Sequence, residues 1–108
     1  MLFRNEVRRI LAYREVVDMR KSFDGLIALV ENALGEDPLA GTLYVFVNRR
    51  GSLLKLIWWD HTGYALFAKR LERGRFVLPG EGRQQELSER ALLLILDGIS
   101  LDRRKRVA

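Results

Sequence analysis

Between residues 43 and 78 the chain passes through four short stretches rich in branched and aromatic residues, at 43–48, 53–59, 64–71 and 75–78. Every break between them is short and carries a glycine: Arg49-Arg50-Gly51-Ser52, Asp60-His61-Thr62-Gly63 and Glu72-Arg73-Gly74-Arg75. Loops this short join antiparallel neighbours, because a parallel return needs a crossover of a dozen or more residues. Glycine supplies the left-handed residue that tight hairpin loops need. The pattern predicts an antiparallel meander of about four strands, to which residues 7–13, apolar and mixed, add an N-terminal strand.

Helical signals flank the meander. Ser22 is placed to cap a helix with Asp24 in its first turn. Phe23, Leu26, Ile27, Val30, Ala33 and Leu34 then follow the i, i+3, i+4, i+7 spacing of one apolar face. Gly35 and Pro38 end it near Leu34. Residues 80–86 read as a polar loop. Ser88 caps a second helix, with Leu87 and Leu92 as a hydrophobic staple, Leu92, Leu93, Ile95, Leu96 and Ile99 as its apolar side, and Gly98 as its stop. The reading is one α+β domain over residues 1–102, an antiparallel sheet with both helices packed on one face, and a basic tail at 103–108. Phe23, Leu26, Val30, Leu92 and Leu96 are expected between helices and sheet. Strand parity separates Leu54, Leu56 and Trp58 from Leu53, Lys55, Ile57 and Trp59, and neither face is purely polar.

Composition narrows the function classes. At 108 residues, a single core is feasible without disulfides or metals. A chain 48% hydrophobic and 31% charged is neither disordered nor a membrane protein. Apolar runs such as 91–96 fall far short of the ~20 residues of a membrane span, and the N-terminus lacks an apolar signal region. With no cysteine there is no thiol nucleophile and no Cys-based zinc site. The expected location is the cytoplasm.

Enzymatic patterns are missing. A general base needs an orienting partner and a nucleophile, and the one histidine, His61, lies in a turn with Asp60 adjacent in sequence, which seldom gives productive geometry. Ser22 and Ser88 are explained as caps and Ser52 as a turn residue. Glycine spacing matches neither a P-loop nor a dinucleotide fingerprint. The sequence therefore predicts no catalytic residue, no metal site and no cofactor.

Charge is the informative property. The net charge of +5 is distributed in blocks: residues 41–79 hold seven bases against Asp60 and Glu72, between acidic segments at 22–40 and 80–102. Such a distribution suits a one-sided polyanion-binding surface; the plain alternative is a solvated face whose cationic stems cover apolar surface. Three clusters stand out. Arg20 and Lys21 precede the first helix, where free N–H groups can hold a phosphate, or where a capped start simply carries local ion pairs. Arg49 and Arg50 sit on a hairpin tip, where packing rarely demands them. Lys69, Arg70, Arg73 and Arg75 follow along one strand and its turn. Trp58-Trp59 reads as packing rather than a base-stacking platform.

Several of these motifs occur together in a known family. Asp18-Met-Arg-Lys-Ser-Phe-Asp-Gly-Leu26, Leu43-Tyr-Val-Phe with Asn48-Arg-Arg-Gly51, Lys55-Leu-Ile-Trp-Trp-Asp60 with Gly63, Phe67-Ala-Lys-Arg-Leu-Glu-Arg-Gly-Arg-Phe76 and the ending at Ile99 resemble the TnpB-type accessory proteins. These are second-reading-frame products of insertion sequences of the sixty-six group. The resemblance covers about residues 8–101. His61 departs from the family pattern, which has a small or polar turn residue there, often glycine. The RNA-guided nucleases that share the TnpB name are different, and this chain lacks their length and acidic triad.

The resemblance implies a role in DNA transposition beside a separate, larger transposase that carries the nuclease chemistry. The charge map independently suggests DNA contact through a basic β surface, and the resemblance implies that this DNA is the element ends. The second reading is a protein-interaction adaptor that binds the transposase; a small nuclease is a distant third. Phosphate contacts position a protein without specifying sequence, so weak sequence preference is expected.

Overall fold

The computed structural model describes residues 7–101. In chain order the elements are β1 (Arg9–Tyr13), α1 (Phe23–Asn32), β2 (Thr42–Val47), β3 (Leu53–Asp60), β4 (Gly63–Arg70), β5 (Gln84–Leu87) and α2 (Glu89–Leu96). The five strands form one sheet in the order β4-β3-β2-β1-β5. The expected α+β class holds, and β2, β3 and β4 are the expected antiparallel meander. β1 pairs with β2 in parallel, with α1 as the crossover, and β5 pairs antiparallel to the outer edge of β1.

The fourth expected strand, 75–78, is not one. The Phe76 N–H donates to the Gly51 carbonyl at 2.7 Å, and its ring is buried in the core. The segment therefore crosses the hairpin tip instead of extending the meander. Conversely, residues 84–86, read as polar loop, join Leu87 in β5. Its register with β1 seats Leu87 opposite Ile10 and leaves Gln84 and Glu86 exposed.

The helices lie on opposite faces of the sheet, not on one. Leu26, Val30 and Leu34 pack with Leu11, Tyr13, Tyr44, Phe46 and Ile57. Leu92 and Ile95 pack with Ile10, Ala12, Leu43, Val45, Leu54, Leu56 and Trp58 on the other side. Adjacent residues of one strand enter different clusters, as alternation requires. All six residues of β2 are buried, the signature of a strand covered on both faces. Phe23, expected inside, is 43% exposed at the first position of α1, and Leu96 is only half-buried.

The two helix starts differ. The Ser88 hydroxyl accepts from the Ala91 N–H at 3.0 Å, whereas Ser22 holds the cap position of α1 without a side-chain bond. α1 ends with the Glu36 N–H reaching back to the Val30 carbonyl around Gly35, at φ +64. No helix among the described residues is long and apolar enough to cross a membrane.

Candidate nucleic-acid interface

Strand direction decides which charges meet. Because β1, β2 and β4 run one way and β3 and β5 the other, Arg14, Arg49, Arg50, Arg70 and the segment after it gather at a single end of the sheet. The tip between β2 and β3 is a tight turn in which the Gly51 N–H donates to the Asn48 carbonyl at 3.0 Å. The Asn48 side chain braces it: its Oδ1 accepts from the N–H groups of Ser52 and Leu53, and its Nδ2 donates to Ser52 Oγ. Arg49 and Arg50 occupy the two central, exposed positions.

Gly51 joins this tip to residues 75–78. At φ +71 it adopts a conformation that other residues resist. A Cβ there would stand 2.9 Å from the Phe76 carbonyl oxygen and 3.2 Å from Arg75 Cβ. That close approach brings Arg75 beside Arg49 and Arg50. Together with Arg14 these arginines line a groove of about 360 Å³, floored by Val47 and Phe76 and walled by Val16, Val77 and Leu78. Glu15 is the single acid in its lining.

The cations of the groove are not equivalent. Arg14 is anchored, its Nε donating to the Pro79 carbonyl at 3.0 Å and its Nη1 to that of Gly82 at 2.7 Å. Arg49, Arg50, Arg73 and Arg75 make no side-chain hydrogen bond or ion pair among the described residues. Among the described residues Arg70 meets only Glu72, at 3.4 Å on an exposed surface, a pairing of little energetic consequence. Lys69 is drawn away: its ammonium donates to the Leu96 carbonyl at 2.7 Å, where a cation complements the C-terminal dipole of α2.

Arg20 and Lys21 reach the same end through Lys55, whose ammonium donates to the Met19 and Lys21 carbonyls at 2.9 and 2.8 Å. Arg20 is held by Asp18, with guanidinium–carboxylate distances from 2.7 to 3.1 Å. The Arg20 hydrogen bonds take the Asp18 carboxyl down to about 2. Lys21 is exposed, and its stem lies against Gly25, where a Cβ would come within 3.0 Å. Arg14 and Arg83 were missed in the sequence. Their backbones meet, the Arg14 N–H donating to the Arg83 carbonyl at 2.7 Å, but only the non-local β1–β5 pairing reveals it.

The arrangement defines a small α+β domain that carries a cationic sheet end. The chain belongs to the IS66 Orf2-like family, TnpB_IS66, whose model matches residues 8–106. That family points to an accessory role in transposition. The chain is similar to the uncharacterized protein y4hO of Sinorhizobium fredii, at 49% identity over 83 residues, covering 76% of this chain and 72% of that one. It is also similar to the uncharacterized protein y4jC of the same organism, at 36% identity over 99 residues, covering 91% of this chain and 85% of the relative. No solved structure matches it.

Proposed function

We propose that this protein binds DNA through the arginine-bearing end of its sheet, as an accessory factor in transposition that works beside a separate transposase. The observation that carries the reading is the set Arg49, Arg50, Arg73 and Arg75. They stand on segments clasped together at Gly51 and have no internal partner among the described residues. Meeting a phosphate there breaks no existing ion pair. Arg70, Arg20 and Lys21 flank them as further contacts, while Lys69, committed to α2, adds charge without adding a phosphate contact. Contact through a hairpin tip and a strand end reads backbone rather than bases, so affinity depends on salt far more than on sequence.

The test is fluorescence anisotropy of labelled element-end and random duplexes across a salt series, with and without the transposase. Comparable affinity for both duplexes and a steep salt slope are expected. Arg49→Ala with Arg50→Ala, and separately Arg73→Ala with Arg75→Ala, should each lower that slope by about two units, roughly one per phosphate contact. Wild-type binding in both double variants, or no salt-dependent binding at all, overturns the reading. Loss of transposition with DNA binding intact would instead make these arginines a docking face for an acidic surface of the transposase.

A further inference from the structure

The two edges of the sheet are built differently. β5 is four residues long, and three of the four are Gln or Glu. That is the short, polar form in which natural sheets protect an edge. β4, at the other edge, is eight residues long and pairs with β3 over its whole length, from Leu53↔Arg70 to Asp60↔Gly63, with no break in register. It contains no proline, and Gly63-Tyr-Ala-Leu-Phe-Ala68 has no charge. Tyr64 and Leu66 join the α1-side cluster and Ala65 and Phe67 the α2-side cluster, yet all four remain half-buried. Both layers of the core thus run to this edge and stop there uncovered. Among the described residues nothing pairs with it.

We propose that β4 pairs antiparallel with β4 of a second copy of this chain, joining two sheets into one of ten strands about a two-fold axis. The register follows from the backbone. The Leu71 N–H points inward, donating to the Ser52 carbonyl at 2.9 Å. By alternation the polar groups of Tyr64, Leu66, Ala68 and Arg70 point outward. A two-fold axis through Leu66 then sets Leu66 against itself and Tyr64 against Ala68, and keeps each core layer continuous across the join. Charge favours the same arrangement. The axis sets Lys69 and Arg70 of one strand opposite Gly63 and Thr62 of the other, whereas parallel pairing would stack the two cationic ends. The outward groups otherwise bonded to water gain partners, and half-buried Tyr64, Leu66 and Phe67 lose their remaining contact with water.

Light scattering on the eluting full chain, at micromolar concentration and above, should give twice the 12.5 kDa chain mass. A monomer at every concentration overturns the proposal. Leu66→Lys places two ammonium groups opposite each other at the axis and should abolish the larger species while circular dichroism stays unchanged; Gln85→Lys on the β5 edge should leave it intact. Cysteine is absent from the chain, so single introduced thiols report the register without depending on the folding of Leu66→Lys. Under mild oxidation Leu66→Cys should cross-link to itself and Gly63→Cys should not. A dimer that survives Leu66→Lys, or that is lost in Gln85→Lys, places the contact elsewhere and refutes the pairing.

Discussion

At the start of β1, Arg9 lies between Glu36 and Glu86, each carboxylate 2.9 Å from one of its guanidinium nitrogens, and those bonds raise its pKa. At the opposite end of the sheet, Arg49, Arg50, Arg73 and Arg75 reach no carboxylate among the described residues. The same side chain is thus a brace between β1, β5 and the segment after α1 at one end and an unspent cation at the other. Counting arginines would treat the ends alike. Asking what each guanidinium already touches separates them, and it removes Lys69 from the second group although sequence placed it there.

The comparison can be broken most forcefully at Gly51→Ala, which imposes a left-handed conformation on a residue with a Cβ and drives that atom toward the Phe76 carbonyl. A loss of about 2 kcal/mol in chemical denaturation is expected, with weaker DNA binding as the clasp opens. Arg9→Met removes the brace and leaves Glu36 without its cation; about 1 kcal/mol should be lost, with the DNA salt slope unchanged. His61 provides the opposite sign. It holds φ +66 at the β3–β4 turn, so His61→Gly should gain up to about 1 kcal/mol in thermal unfolding.

The smallest effect concerns Asp18, which titrates at about 2 because Arg20 holds it. A carboxyl with a lowered folded-state pKa contributes stability above its unfolded value, and that contribution is lost as pH falls from about 4 toward 2. Carbon-detected NMR titration should show Asp18 returning to the ordinary carboxylate range in Arg20→Ala. An Asp18 midpoint unmoved by that change would mean the pair does not persist in solution.

What sequence reading reached was what local chemistry decides. The hairpins around Gly51 and Gly63 were legible because their turns sit between adjacent strands, and the exposure of Arg49 and Arg50 followed from the turn. β5 was not, because Gln84-Gln-Glu-Leu87 becomes a strand only by lying against β1, far back in the chain. Residues 75–78 have strand-like composition, but the Phe76 N–H was already claimed by Gly51. The run Thr42–Val47, apolar at nearly every position, is the pattern of a strand covered on both faces, yet the sequence reading placed both helices on one face. The convergence of Arg14 and Arg75 on the hairpin tip depended on pairings and crossings that no local window contains.

The pairing of β1 with β5 also has a consequence for how the chain is made. Glu86 meets Arg9 across 77 positions of sequence, so an interior strand depends on a segment synthesised long after it. During translation the β2–β3–β4 hairpins can close as they emerge, since their partners are neighbours. β1 must hold an open edge until Gln84–Leu87 is free of the ribosome. Contacts of such long separation are slow to form, and an unfilled strand edge in a half-made chain is an invitation to mispair with another. The β1–β5 pairing is therefore expected to close after the meander, whose strands are neighbours in sequence.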